Sequence, residues 1–476
     1  MNPVQRVAKN ISVMFVSQII TYALAFFFVM YSARYLGVDN FGILSFALAF
    51  SGIMIIFADL GLSSLMVREA SRNKKLTESY LKNILSLKII LGISTFIISI
   101  LIVLALGYNL NDIQVIAIIT AYTLLTSLSS MFYALFQTFE KLEYQSIGQI
   151  ITSILLISGA LYLIYNKSDL LGFALLYLFV GVIMVLYAFT ICKCNYVSPK
   201  LEIDFGFWKT LLKMAIPLSV VLIFSTIAFR IDIVILSMLD TNTAVGIYSA
   251  AYKLIEVLTF IPAVFTASIY PVFSRFHIYS KNSLKTGYKR SFKYLFLIGL
   301  PIAITVSLLA DKIILLVYGT QFTGSIIALK ILIWAIPFTF LTFFSGTVMI
   351  SINKQNLLAK IFILAIIMNV VLNVTFIPSY SYVASAVITI ITELTEMLLI
   401  SYFLFKFICK VEIKDTLVKP LIACLVMGLF IFYVHINLLL QIVLAFGVYL
   451  VALYLLETFS DDDINLIKQL IPNKKK

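Results

Sequence analysis

Arg230, Asp232, Lys253 and Glu256 sit inside the long apolar stretch from Ile223 to Phe273, interrupted only by a short polar turn at Asp240–Gly246. Two further acids, Glu393 and Glu396, stand one helical turn apart in another apolar run, and Asp59 and Lys330 interrupt two more. If such runs cross a bilayer, each charge costs roughly 2.5–3.5 kcal/mol to insert, so it needs a partner or a purpose. Cations held in a partly dry site suit phosphate oxygens, to which charge-assisted hydrogen bonds are strong. Paired carboxylates away from water favour the neutral acid and can therefore hold a proton or share a sodium ion. Other familiar chemistry is missing: the sequence has no Ser/His/Asp set, no HExxH and no glycine-rich phosphate loop, and its two histidines, His277 and His435, fall in an expected loop and near a helix end. Nothing points to an enzyme, a metal site or a cofactor.

The elements that position these charges follow from composition. Of 476 residues, 62% are hydrophobic and 12% charged, and the mean hydropathy is +1.06. A soluble core cannot use that much apolar surface, and the unalternating runs argue against a barrel. The expected fold is an all-α polytopic membrane protein of about fourteen spans: 11–33, 43–67, 84–106, 114–136, 147–165, 170–191, 214–237, 247–273, 293–310, 326–350, 358–378, 383–405, 420–436 and 438–457. The first run is too long for a signal-peptide core and reads as an uncleaved span. Cys192, Cys194, Cys409 and Cys424 offer no disulfide framework or metal-ligand spacing.

The net charge of +13 would suggest nucleic acid in a soluble protein, but here the membrane accounts for it. With the N-terminus in the cytoplasm, 28 lysines and arginines fall in inner segments and 3 (Arg34, Lys167, Lys312) in outer loops. That asymmetry places both termini inside. The basic tail Lys474–Lys476 suits a contact with anionic membrane lipid.

A repeat is visible. Phe41-Gly-Ile-Leu-Ser-Phe-Ala47 and Val245-Gly-Ile-Tyr-Ser-Ala-Ala251 share Gly, Ile, Ser and Ala in register. Each opens the second helix of a six-helix set that starts inside, so the repeat is parallel, about an axis along the membrane normal. Residues 1–191 form the expected N-terminal lobe, 192–213 a cytoplasmic amphipathic linker, 214–408 a C-terminal lobe, and 409–476 an extra helix pair with its basic tail, the two lobes enclosing a central cavity. Pro217, Pro262, Pro301 and Pro337 interrupt spans of the second lobe, as bends around a cavity or as static kinks.

The segments Ala33-Arg-Tyr-Leu-Gly-Val-Asp-Asn-Phe-Gly42, Ala58-Asp-Leu-Gly-Leu-Ser63, Val67-Arg-Glu-Ala-Ser-Arg72, Arg230-Ile-Asp232, Val245–Leu254 with Pro262, and Val317-Tyr-Gly-Thr-Gln-Phe322 together resemble the polysaccharide-transport, O-antigen-flippase-like branch of the multidrug/oligosaccharidyl-lipid/polysaccharide exporter superfamily. The likeness runs through spans 1–12, while a count of fourteen resembles the lipid II flippases. It implies a prokaryotic plasma-membrane protein that moves a polyprenyl-diphosphate-linked oligosaccharide to the outer leaflet by alternating access, working as a monomer and coupled to H+ or Na+. A cation-coupled multidrug exporter of the same superfamily is the alternative, and a membrane glycan polymerase or ligase the second, although the longest outer segment, about Asp311–Ser325, is brief for one.

On this reading the candidate substrate-binding residues are Arg34, Arg68, Arg230, Lys253 and Lys330. Candidates for ion coupling are Asp59, Asp232, Glu256, Glu393 and Glu396. Each has a plainer alternative. Lys253 can pair with Glu256 one turn on, Lys330 and Lys88 can snorkel to the surface, and Asp59 can brace helix packing beside Gly61. Arg68 and Arg72 can form a solvated face, and the two glutamates can be glue between helices, as can the polar pair Asn369 and Asn373. Arg230 and Asp232, two residues apart, cannot face each other on a helix, so one must turn to the cavity and the other to a neighbour; Arg230 is favoured for the cavity.

Overall fold

A computed structural model describes residues 3–410, 417–434 and 436–458. The tail Lys474–Lys476 and His435 lie outside the described residues. The chain is helical throughout: α1 (Pro3–Asp59), α2 (Leu62–Arg72), α3 (Thr77–Ala105), α4 (Leu110–Thr138), α5 (Leu142–Tyr165), α6 (Leu170–Asn195), α7 (Phe205–Leu239), α8 (Asn242–Leu258), α9 (Phe260–Tyr279), α10 (Lys281–Leu308), α11 (Ala310–Val317), α12 (Ser325–Leu332), α13 (Ile336–Ser351), α14 (Gln355–Phe407), α15 (Lys419–Tyr433) and α16 (Leu438–Leu455). Among the described residues no strand is formed, and eleven helical segments are long and apolar enough to cross a bilayer. Two of them are double. α1 breaks at Gly37, where φ is +75°, and α14 breaks at Ser381, so each covers two expected spans. With the shorter α15, this set is compatible with fourteen crossings.

The breaks refine the expected spans. The second span was expected to run to residue 67, yet α1 stops at Asp59 because Leu60 and Gly61 both adopt positive φ. That left-handed pair costs an ordinary side chain energy and is tolerated best at glycine. The chain restarts as the short amphipathic α2, with Leu62, Leu65 and Met66 buried. α8 and α9 meet at Thr259, three residues before Pro262, and Pro337 begins α13 after a 3-10 turn at Ile333–Ala335. Pro217 and Pro301 instead sit inside α7 and α10 without a break in the helix. His277 belongs to the last turn of α9 rather than to a loop. Residues 192–213, expected as an amphipathic linker, divide between the end of α6, a non-helical stretch and the first turns of α7. There Asp204 caps α7 through the Phe207 N–H, and Trp208 is buried with its indole N–H on Asn83 Oδ1 at 3.2 Å.

The chain packs as two compact units. One takes residues up to Ala250 with Tyr318–Phe322 and Phe362–Ser385; the other takes Ala251–Val317, Thr323–Ile361 and the chain from Ala386. In the first unit, Leu62, Leu65, Leu81, Phe132, Leu135 and Leu211 form a core shared by α2, α3, α4 and α7. In the second, Tyr288 stacks on Phe344 at 5.6 Å and Phe273 meets the same ring edge-on. Tyr449 of α16 donates to the Leu297 carbonyl at 2.9 Å, which ties the last helix to α10. Large apolar side chains such as Leu101, Phe179, Leu425 and Phe432 stay exposed. That suits a surface facing lipid tails, where the cost of exposure to water is absent.

Candidate functional site

The first unit holds a buried polar cluster around Asp232. Asp232 projects from α7 and both its oxygens accept hydrogen bonds: Oδ1 from Asn373 Nδ2 at 2.9 Å, Oδ2 from the Tyr248 hydroxyl at 3.2 Å. Asn373 Nδ2 also lies 2.9 Å from Asn369 Oδ1 and 3.0 Å from the Asn369 carbonyl, while Ser385 donates to Asn373 Oδ1 at 3.1 Å. Every member of this set is buried. An amide nitrogen carries two protons, yet three oxygens crowd this one. The cluster thus gathers a carboxylate, two carboxamides and two hydroxyls out of water. Among the described residues, no group of three or more His, Cys, Asp or Glu side chains is placed to hold a metal.

Arg230, two residues earlier, turns to a different neighbour, as its spacing requires. Its side chain lies across Gly52 of α1, so closely that a Cβ there would come within 2.8 Å of Nε, and Nη1 approaches the Leu48 carbonyl at 3.5 Å. A guanidinium carried in the middle of an apolar helix is thus laid over a position with no side chain.

α1 also meets the start of α8, nearer the loops. A Cβ on Gly42 would fall 2.0 Å from the Asn242 carbonyl oxygen, and one on Gly246 would fall 2.0 Å from that of Val38. Asp39 accepts a hydrogen bond from the Thr243 hydroxyl, a pair 204 residues apart. These positions correspond in the sequence repeat, and the contact is self-matching: each glycine meets the counterpart of the other's partner. Backbones approach this closely only where both helices lack side chains.

Asp59 and Lys88 correct one expectation. Lys88 does not snorkel. Its side chain is 0% exposed and its ammonium bonds Asp59 Oδ1 at 2.6 Å, with the Ser127 carbonyl at 2.6 Å and Ser63 Oγ at 3.0 Å. Asp59 in turn accepts from Ser63 and from the Gly61 N–H. The carboxylate so braces the left-handed turn after α1 while neutralising the lysine. The sequence carried a signal for this: two opposite charges at similar depth toward the inner ends of neighbouring spans.

The other candidates are placed as follows. Arg34 is exposed near the break of α1. Arg68 bonds Glu69 at 2.6 Å and Arg72 reaches the same carboxylate at 3.4 Å on the half-exposed α2. In the second unit, Lys253 and Glu256 form an i, i+3 ion pair at 2.5 Å. Lys330 is exposed on α12, and Glu396 is buried on the second half of α14 with the less buried Glu393 one turn before it.

The sequence profile described as "Polysaccharide biosynthesis protein" matches residues 7–277, more than half of the chain. The chain belongs to this polysaccharide biosynthesis family. A second profile, MatE, matches residues 217–375. Among curated relatives, the family member is 27% identical over 409 residues to the capsular polysaccharide biosynthesis protein CapF of Staphylococcus aureus, covering 83% of this chain and 98% of that one. It is 25% identical to the probable low-salt glycan biosynthesis flippase Agl15 of Haloferax volcanii, covering 84% of each. Its fold is similar to that of the lipid II flippase MurJ in an inward closed conformation, with a TM-score of 0.77, 17% identity, and 92% of this chain and 97% of that one covered. The resemblance read in the motifs of spans 1–12 therefore holds, and the all-helical exporter fold with it.

Proposed function

We propose that this polysaccharide biosynthesis protein is a flippase that carries a polyprenyl-diphosphate-linked oligosaccharide from the cytoplasmic to the outer leaflet. The observation that carries the reading is Arg230, a guanidinium lodged against Gly52 within apolar helices of a chain whose relatives are named for glycan assembly and glycan flipping. A diphosphate offers several charged oxygens to such a group, which an organic cation would not. Arg34, Arg68, Lys253 and Lys330 are further contacts for the anionic cargo along its route. The protein works in a prokaryotic plasma membrane with both termini in the cytoplasm, by alternating access of two parallel six-helix lobes, as a monomer and without enzymatic turnover.

Coupling is assigned first to Asp232, a buried carboxylate that Asn373 and Tyr248 hold in place, with Asn369 and Ser385 braced on Asn373 behind it, where a proton or Na+ can be exchanged. Glu393 and Glu396 form a second candidate pair, and Asp59 and Glu256 already engage lysines. An ion at Asp232 biases the two lobe arrangements only if it binds one of them more tightly.

The test is translocation of a fluorescent short-chain polyprenyl-diphosphate oligosaccharide in proteoliposomes. Arg230→Ala should lower the rate at least tenfold at equal protein level, with Arg230→Lys recovering part of it. Full activity of the alanine variant would overturn the role of Arg230, and an inert wild type the flippase reading.

A further inference from the structure

A second polar feature lies away from the apolar helix centres. A cavity of about 700 Å3 opens between the break of α1, the first turn of α4 and the α5–α6 turn, all in the first unit. Its walls include Tyr35, Asn40, Asn111, Gln114 and Lys167. It lies at the Leu110 end of α4, remote from Lys141 and hence on the side that the charge asymmetry assigns to the exterior.

Its chemistry is specific. Asn111 and Gln114 are exposed carboxamides, each able to donate and accept. Neighbouring hydroxyls of a sugar ring need both. Tyr35 is fixed by its hydroxyl on the Ser168 carbonyl at 2.9 Å and by stacking on Phe173, so the wall is rigid before any ligand arrives. An anion is poorly served. The N-termini of α4 and α6 are already capped by Asn109 and Asp169, which accept from the Asp112 and Gly172 N–H groups. Two carboxylates, Asp112 and Asp169, also share the wall with Lys167. The volume lies in the range of small-molecule sites, about 300–1,000 Å3.

We infer that this cavity is a second glycan site, which holds the sugar part of the cargo, not its diphosphate, on the side to which it is delivered. The inference rests on the flippase reading for the identity of the sugar, but binding here is measured without transport. The probe is the water-soluble oligosaccharide released by mild acid from the lipid carrier of the producing cells, titrated into purified full-length protein and followed by ligand-observed NMR. The expected result is saturable binding by the wild type, weakened about tenfold in Asn111→Ala/Gln114→Ala through loss of two hydrogen-bonding amides. Both replaced side chains are exposed and neither caps its helix, so folding should be kept; thermal unfolding of the double variant checks this. Absence of binding by the wild type, equal binding by the double variant, or binding of calcium alone at this cavity would overturn the inference. The same preparation in the translocation assay separates the two readings. Transport without oligosaccharide binding sinks this site only, and binding without transport sinks the flippase reading only.

Discussion

Lys88→Met tests the buried ion pair most sharply. The replacement keeps length and apolar bulk while removing an ammonium with no exposed surface and three oxygen partners at 2.6–3.0 Å. Breaking one side of a buried pair costs about 3–5 kcal/mol, because the remaining charge loses its compensation. Asp59 keeps 27% of its side chain exposed and the Gly61 and Ser63 donors, so Lys88→Met should fall near the lower figure. Asp59→Asn leaves the fully enclosed lysine uncompensated and should fall near the upper. The double variant carries no charge to strand and should lose less than the larger single loss. A double-mutant cycle by equilibrium unfolding in mixed detergent and dodecyl sulfate micelles measures all three. Single variants within about 0.5 kcal/mol of wild type, or strictly additive losses, would refute the reasoning and restore a lysine that merely reaches for the surface.

Other outcomes follow from the remaining contacts. Gly246→Ala forces a Cβ to within 2.0 Å of the Val38 carbonyl, an overpacking of about 1–3 kcal/mol, so disulfide formation between cysteines placed at Asp39 and Thr243 should drop about fivefold or more against the same pair in the native background; undiminished cross-linking contradicts the contact. Asp232→Asn should remove the dependence of translocation on the coupling ion, read by varying pH and sodium separately, and an unchanged dependence rules the cluster out. In a background freed of the four native cysteines, single cysteines at Asn109, Lys167 and Thr241 should react with an impermeant thiol reagent in intact cells and one at Asn282 should not; the reverse pattern overturns the orientation.

The helical plan was legible because about twenty apolar residues in succession have one low-energy arrangement in a bilayer. Where the runs stop was less legible. The apolar run continues past Leu60 and Gly61 to Val67, broken only by Asp59, Ser63 and Ser64, and the positive φ of two neighbours ends α1 there. Among the site residues, Asp232, Asn369 and Asn373 each stood out as polar groups in apolar runs, but their meeting spans 141 residues of chain and no local spacing encodes it. Tyr248 and Ser385 were invisible for another reason: a tyrosine and a serine are ordinary residues in membrane helices, and only their direction makes them ligands of the cluster. Lys88 was misjudged because a flexible four-carbon stem fits snorkelling and burial equally well until its neighbours are known.

The paired glycine contact at Gly42 and Gly246 has a mechanical consequence. Because its two halves are counterparts, a tilt that lifts Asn242 from Gly42 also lifts Val38 from Gly246. A side chain added at either glycine therefore pushes on both halves of the seam at once.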